Sequence, residues 1–312
     1  MRVVFFGTSE FAVPTLQRLV AAGHSITAVV TQPARPKGRG RRLESSPVAK
    51  VAVALGLRVL DPAEPNAPGF VAGCTELEAE LGVLAAYGCI LSQALLDTPK
   101  QGFINLHPSL LPAYRGAAPI QRALMDGCTE TGVSVIRMSR KVDAGALLGQ
   151  ESERVSPDDT AGELTVRLAE SGAGLVIRTI ERLERNAIRP SPQDVRFATS
   201  APKIEDRERY IDWLKPAVDL HNLVRALSPR PAACTFFRSR RLMVLRSRPS
   251  DLAVTASPGM LVLDSPGLAA ATGRGMLCLL EVKPESGGMQ SGESFRNGHR
   301  PATGERFENR MQ

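Results

Sequence analysis

Residues 103–116 have the sequence FINLHPSLLPAYRG, in which a short apolar run passes directly into a polar turn with two prolines. Asn105 and His107 lie two positions apart, so an extended chain directs both side chains to the same side. An amide and an imidazole that donate hydrogen bonds toward one point suit the developing oxyanion of an acyl transfer. A proline-bounded turn with a capped histidine fits the same residues, and this stretch alone does not decide between the two interpretations.

Strand-like and helix-like segments alternate on both sides of this stretch, over residues 1 to about 186. The apolar runs are short enough for buried parallel strands, and amphipathic helical patterns separate them. Strands are predicted at 2–6, 25–30, 57–60, 81–86 and 102–106, and helices at 11–22, 47–55 and 160–185. This alternation predicts an α/β domain with a doubly wound, mostly parallel sheet. The loops at the carboxyl ends of such strands hold the active site, and residues 105–115 form such a loop.

Two further β-prone segments, 132–138 and 146–155, are joined by a turn that contains Asp143-Ala144-Gly145. They predict a hairpin or a pair of neighbouring strands with Asp143 at one end. Asp143 either caps this turn or supplies a carboxylate to the site with Asn105 and His107, and its position in the sequence leaves both open. These three side chains include no evident nucleophile, which favours direct transfer to a group that the substrate supplies.

The carboxyl-terminal part of the chain has a different pattern. Residues 187–204 contain several prolines and predict an extended linker. A helix is predicted at 216–226, and short β-prone pieces broken by glycine and proline follow at 234–237, 242–245, 260–263 and 276–282. This pattern predicts a small β-barrel domain over 205–312 rather than a second α/β layer.

Composition and missing motifs exclude several classes of protein. A chain of 312 residues suits about two domains. No apolar run approaches the roughly 18 residues of a membrane span, and the amino terminus lacks a signal-peptide pattern, so a cytoplasmic enzyme is expected. The scattered cysteines and histidines lack disulfide or metal-ligand spacing, and no metal is expected. GxGxxG, Walker A and GxSxG motifs are missing, which argues against hydride transfer, P-loop chemistry and serine hydrolysis.

The net charge of +7 favours a polyanionic partner. Two clusters carry much of it, one of Arg35, Lys37, Arg39, Arg41 and Arg42, and one of Arg238, Arg240, Arg241, Arg246 and Arg248. Glycine and proline lie between the cations of the first cluster, which indicates a loop that adapts to phosphates rather than a helix face. A solvated surface loop is the alternative.

The chain resembles the formyltransferases that use 10-formyltetrahydrofolate, and among them those whose acceptor is methionyl initiator tRNA. The matching motifs occur in order along nearly the whole chain, at 6–12, 31–33, 38–41, 86–88, 105–116, 142–145, 202–204, 211–213, 221–226 and 297–298. The most specific of them is the pattern Asn-x-His-Pro-Ser-Leu-Leu-Pro-x-x-Arg-Gly at 105–116.

This resemblance implies a role for each matched residue. The catalytic trio corresponds to Asn105, His107 and Asp143. The folate-contacting residues correspond to Ser109, Leu110, Leu111 and Pro112, with Ala86, Tyr87 and Gly88 beside the pterin. The tRNA-binding residues correspond to Arg35, Lys37, Arg39, Arg41 and Arg42, of which Arg39 is favoured, and to Lys203, which fits a solvated linker equally well. The resemblance also implies a Rossmann-like catalytic domain and an OB-like barrel that supports tRNA binding. A monomer is expected.

Two other functions fit parts of the same pattern. A formyltransferase for a small amine, such as glycinamide ribonucleotide or an amino sugar nucleotide, would use the same trio, but it would need neither the basic loop nor the second domain. A non-catalytic RNA-binding protein would need the arginines but not Asn105, His107 and Asp143. The combination of both features therefore favours formyl transfer to tRNA.

Overall fold

The computed structural model describes residues 1–37, 42–252 and 254–309, without the side chains of Lys37 and Arg42. The chain forms two compact units. The first consists of Met1–Pro119, Glu130–Arg154 and Thr165–Pro202, and the second of Ile120–Thr129, Val155–Leu164 and Lys203–Gln312. Residues 120–129 and 155–164 thus belong to the second unit, although they precede the predicted boundary near residue 186. Most of the predicted linker, 187–204, belongs to the first unit.

A seven-stranded sheet lies at the centre of the first unit. The strands up to residue 202 are β1 (Arg2–Gly7), β2 (Ser25–Val30), β3 (Arg35–Lys37), β4 (Arg42–Glu44), β5 (Val59–Leu60), β6 (Leu81–Ala85), β7 (Phe103–His107), β8 (Arg115–Gly116), β9 (Glu130–Arg137), β10 (Leu147–Arg154) and β11 (Ser200–Ala201). The helices over the same residues are α1 (Val13–Ala21), α2 (Pro47–Ala54), α3 (Pro68–Glu76), α4 (Gln93–Leu96), α5 (Pro119–Met125) and α6 (Ala161–Glu184).

The order of strands in this sheet is β10-β9-β7-β6-β1-β2-β5. The strands from β5 to β7 are parallel, while β9 runs antiparallel to β7 and to β10. Numbered along the chain, the parallel strands follow the order 3-2-1-4-5, which is that of a doubly wound fold. The predicted α/β domain with a mostly parallel sheet is therefore confirmed.

Aromatic and close helix packing hold β7, the strand that leads into the site. The Phe6 ring meets the rings of Tyr87 and Phe103 edge-on, with centroids 5.2 Å and 5.1 Å apart. On α6, Gly172 lies so close to Leu106 that an added Cβ would come within 2.8 Å of its side chain. These contacts bury Phe103, at the start of β7, and Leu106, next to its last residue, so the strand is closely packed.

The elements expected before residue 186 occur within two residues of their predicted ends. Three helices, α3, α4 and α5, have no counterpart among the predictions. The helix α3 begins at Pro68 in a stretch rich in Pro, Asn and Gly that suggests a turn, yet proline suits the first position of a helix. Within the described part of the chain, no helix combines the length and apolar character needed to cross a membrane.

The second unit contains an antiparallel sheet that isolated bridges close into a ring. Its elements beyond residue 203 are α7 (Ala217–Leu227), β12 (Ala233–Phe237), β13 (Arg240–Ser250), β14 (Leu268–Ala271), β15 (Met276–Pro284), β16 (Gln290–Ser291) and α8 (Gly292–His299). The order is β12-β13-β15-β14, with β16 paired to β15. Three bridges connect β14 back to β12: Leu261 with Ala270, Met260 with Arg306, and Phe236 with Glu308. The predicted small β-rich domain is confirmed.

Buried His221 is expected to make the stability of the second unit depend on pH. Its Nδ1 lies 3.1 Å from Ser247 Oγ and its Nε2 3.0 Å from the Pro157 carbonyl oxygen. Burial lowers the pKa of His221 below its ordinary value of 6.5. Below about pH 6.5 the unfolded chain therefore binds a proton here that the folded unit excludes, and the free energy of unfolding is expected to fall as the pH drops from about 6.5 toward the lowered pKa.

Urea unfolding followed by the fluorescence of Trp213 at several pH values measures this dependence. His221→Gln should flatten it below about pH 6.5. His24→Gln is the matched control, because the pKa of His24 is also lowered by burial but His24 lies in the first unit. An unchanged slope in His221→Gln would exclude His221 as its source.

Candidate active site

The carboxyl end of β7 and the turn between β9 and β10 bring Asn105, His107 and Asp143 together. Asn105 and His107 are 7% and 5% exposed and lie on the same side of β7, as the spacing predicts. Asp143 has a φ of +49°, a conformation that is costly for a residue with a Cβ. The surrounding contacts must therefore hold this backbone in place.

The carboxylate of Asp143 is the centre of the cluster. Its Oδ1 accepts a hydrogen bond from Asn105 Nδ2 at 3.4 Å, and its Oδ2 accepts one from the Gly116 backbone N–H at 2.9 Å. His107 Nδ1 lies 3.5 Å from the same Oδ2. The structure thus brings together all three members of the predicted trio.

The other ring nitrogen of His107 has a defined role. His107 Nε2 lies 2.9 Å from the carbonyl oxygen of Tyr114, which can only accept a hydrogen bond, so Nε2 carries a hydrogen. A second proton on the ring must then bind to Nδ1, the atom that faces Asp143. Only the doubly protonated ring donates to both oxygens.

A cleft of about 470 Å³ opens beside these residues at the carboxyl ends of β6 and β7. Its volume is in the usual range for a small-molecule site, and most of its lining is apolar. The described residues that line it beyond the trio include Leu84, Ile90, Leu91, Ile136 and Met138, with the cations Arg140 and Lys141. The sequence predictions assigned none of these seven residues to the site, and the two adjacent cations just before Val142-Asp143 were the available signal.

The predicted segment Ala86-Tyr87-Gly88 forms part of the cleft wall. The Tyr87 ring is buried in the core, and burial raises the pKa of its phenol well above the ordinary value. Its carbonyl oxygen accepts hydrogen bonds from Thr8 Oγ1 and Gln32 Nε2, both at 2.9 Å. Both lone pairs of the Tyr87 carbonyl oxygen are therefore already used within the protein, and these bonds hold the segment 86–88 in the cleft wall.

The predicted folate-contacting residues Ser109, Leu110, Leu111 and Pro112 are not among the described residues that line the cleft. Ser109 is buried and donates to the Ala113 carbonyl oxygen at 2.7 Å. Ser134 Oγ accepts from the Leu111 N–H at 3.0 Å and donates to the Ser109 carbonyl oxygen at 2.6 Å. These bonds hold the turn after His107, and contact of its side chains with folate stays a prediction.

The predicted tRNA-binding residues are described only in part. Arg39 and Arg41 lie outside the described residues, as do the side chains of Lys37 and Arg42. Arg35, on β3, donates from Nη2 to Gln32 Oε1. The Nε2 of the same Gln32 amide donates to the Tyr87 carbonyl oxygen. Lys203 is exposed in the second unit. Contact of these residues with tRNA stays a prediction.

The second arginine cluster is largely neutralised within the second unit. Four of its five members lie in ion pairs: Arg238 with Glu305, Arg241 with Glu285, Arg246 with Glu163, and Arg248 with Asp158. Their charge is offset locally, so this cluster contributes less to a field for a polyanion than its sequence suggests.

An amide, an imidazole and a carboxylate at the carboxyl edge of a doubly wound sheet, beside an apolar cleft, form the arrangement of a group-transfer enzyme. Among the described residues, no three His, Cys, Asp or Glu side chains are grouped so that they could hold a metal ion.

Comparison with known proteins identifies the kind of group-transfer enzyme. Residues 1–180 match the formyl transferase family, and residues 203–300 match the formyl transferase C-terminal domain. The methionyl-tRNA formyltransferase of Moorella thermoacetica is 42% identical over 306 residues, which cover 98% of this chain and 98% of the relative. That of Methylococcus capsulatus is 43% identical over 299 residues, which cover 96% and 97%. The chain belongs to the formyl transferase family.

A solved structure agrees with this placement at the level of the fold. The N-formyltransferase from Helicobacter canadensis, crystallised with folinic acid and dTDP-3-aminofucose, superimposes with a TM-score of 0.69 at 16% identity. The match covers 89% of this chain and 99% of that one. At this identity the likeness extends to the fold alone.

Proposed function

We propose that this chain transfers the formyl group of 10-formyltetrahydrofolate to the amino group of methionyl initiator tRNA. The observation that carries the proposal is the identity of about two residues in five with methionyl-tRNA formyltransferases over nearly the full length, including the carboxyl-terminal domain. A cytoplasmic location and a monomeric state remain predictions.

The cleft fits a folate donor. Its apolar walls suit flat aromatic rings, and Arg140 and Lys141 suit the carboxylates of the glutamyl tail. The donor brings the formyl carbon that the amine attacks. Leu84, Ile136 and Met138 would contact the rings, and the cations would hold the charged end.

The trio supplies the groups that the transfer needs. As the amine attacks, the formyl oxygen gains negative charge, and Asn105 would donate an amide N–H to it. Because the Tyr114 carbonyl oxygen already accepts the Nε2 hydrogen of His107, the protonated ring donates its second hydrogen from Nδ1 to Asp143. Asp143 accepts this hydrogen bond and also the proton that leaves the attacking amine. The pair then returns a proton to the departing folate nitrogen, so the transfer needs no protein nucleophile.

The basic loop is proposed to bind the phosphates of the acceptor tRNA. Replacing both Arg39 and Arg41 by alanine is expected to raise KM for methionyl initiator tRNA and to lower the slope of log KM against log salt by about two, one for each lost phosphate contact. KM for 10-formyltetrahydrofolate should not change. Steady-state formylation assays at several salt concentrations measure both constants.

The same assay separates the acceptor classes. Wild-type enzyme should formylate methionyl initiator tRNA far faster than glycinamide ribonucleotide or an amino sugar nucleotide. Unchanged tRNA kinetics in the double variant, together with efficient use of a small amine, would favour a small-amine formyltransferase instead.

A further inference from the structure

Residues 191–201, here named the strap, lie along both loops that carry the site. At one end Ser191 exchanges two backbone hydrogen bonds with Leu147, at 2.8 Å and 2.9 Å, next to the turn that carries Asp143. At the other end β11 pairs with β8, and Ala201 accepts from the Ala118 N–H at 3.1 Å. The strap therefore connects the Asp143 turn to the loop that follows His107.

The strap also holds the residue that orients His107. Tyr114, whose carbonyl oxygen faces His107 Nε2, donates its own N–H to Thr199 Oγ1 at 2.8 Å. The Arg115 N–H donates to the Thr199 carbonyl oxygen at 2.9 Å. Tyr114 has a φ of +59°, so this backbone, like that of Asp143, has a conformation that its surroundings must stabilise.

Gln193 is the strap residue that contacts the Asp143 turn. Its Nε2 donates to the carbonyl oxygens of Asp143 and Gly145, at 2.8 Å and 2.7 Å. Its Oε1 accepts from Arg115 Nε and Nη2, at 3.0 Å and 2.6 Å. Both hydrogens of the amide and both lone pairs of its oxygen are thus used. If the amide were rotated by 180°, its oxygen would face the two carbonyl oxygens of the turn, so the orientation is defined.

The turn to which Gln193 donates packs closely against β9. A Cβ at Gly145 would lie 1.7 Å from the Arg137 carbonyl oxygen, so the chain there passes directly against β9. With that side fixed, Gln193 supplies the opposing contact that keeps Asp143 at φ +49° and its carboxylate against Gly116, Asn105 and His107.

We propose that Gln193 is a positioning residue for the reaction: its hydrogen bonds to the Asp143 turn and to Arg115 keep the Asp143 carboxylate next to His107. This inference rests on the proposed catalytic role of Asp143. Gln193 itself acts through the backbone of Asp143 and contacts neither the amine nor the formyl group.

Two variants of Gln193 separate its two sets of hydrogen bonds. Gln193→Ala removes both sets. Gln193→Glu keeps the contact with Arg115 but places an oxygen where the amide donated to the turn. Both are expected to lower kcat by about 10- to 100-fold, because displacement of a reacting group by about 1 Å has an effect of this size. KM for 10-formyltetrahydrofolate should change by less than about threefold, since Gln193 acts on positioning and not on donor binding.

A double-mutant cycle shows whether the effect passes through Asp143. In the Asp143→Ala background, Gln193→Ala should change the residual kcat by less than about threefold, because the group that it positions is gone. Arg196→Ala is the matched control on the strap, since exposed Arg196 pairs with Asp194 and should leave kcat unchanged. Circular dichroism and thermal melting confirm that each variant is folded.

Three outcomes would overturn the proposal. Wild-type kcat in Gln193→Glu would mean that the contact with the turn is dispensable. An equal fold-loss of kcat from Gln193→Ala in the wild-type and Asp143→Ala backgrounds would mean that Gln193 does not act through Asp143. If the variants lost kcat only because they were unfolded, Gln193 would have a structural role and not a positioning one. If Asp143→Ala itself kept most of its activity, the proposed role of the trio would fail, which is a distinct result.

Discussion

Replacing Asn105 by alanine is expected to lower kcat for formyl transfer by about 10²–10³-fold, since it removes one donor from the developing oxyanion. His107→Ala should lower kcat by about 10²–10⁴-fold, since it removes the proton-transfer group that is paired with Asp143. Asp143→Ala should have an effect of at least the same order, because it removes the carboxylate that both other members face. Single-turnover formylation of methionyl initiator tRNA with saturating 10-formyltetrahydrofolate measures the chemical step directly.

The control for these variants is Asp97→Ala. Asp97 is exposed and accepts from Gln93 Nε2 at 2.8 Å, outside the described lining of the cleft. Its replacement should leave the rate within about twofold of wild type, as is usual for surface positions. A loss of less than about tenfold in all three site variants would show that the trio does not perform the roles proposed for it.

The largest expected effect on stability is that of Phe307→Ala in the second unit. Phe307 is 1% exposed, and its ring stacks on Trp213 with centroids 5.3 Å apart and meets Phe237 edge-on at 5.9 Å. Truncating a buried phenylalanine typically lowers the free energy of unfolding by about 3–5 kcal/mol, since transfer and cavity terms add. Trp213 is the single tryptophan of the chain, so its fluorescence in urea reports the unfolding of this unit.

The matched control is Leu214→Ala, next to Trp213. Leu214 is 71% exposed, so its truncation should change the free energy of unfolding by no more than about 0.5 kcal/mol. Equal midpoints for Phe307→Ala and wild type would mean that the aromatic cluster does not limit the stability of the second unit.

Much of the fold follows from local patterns. The run at 2–6 and the segment 25–30 are apolar over the length of a buried strand, and both become strands of the central sheet. The amphipathic pattern at 160–185 becomes α6. The segment at 260–263 is different: Met260 pairs with Arg306 and Leu261 with Ala270, so adjacent residues form isolated bridges to different segments and no regular strand results.

The site could be predicted in part. Spacing alone placed Asn105 and His107 on one side of a strand, because alternation along a strand is a local property. Asp143 needed the resemblance, since a turn aspartate has many uses. The linker prediction for 187–204 missed the strap, because prolines and polar residues describe an extended chain without showing what it lies against.

The sequence by itself determined the alternating elements and the two-domain order, because both depend on residues close together in the chain, while the formyl group was implied by the family resemblance of the motif at 105–116. Only the tertiary structure decided which side chains meet. Gln193 contacts Asp143 across 50 residues, and Asp143 contacts Asn105 across 38. Such contacts depend on the order of strands in the sheet and on the path of the strap, and no local periodicity encodes them.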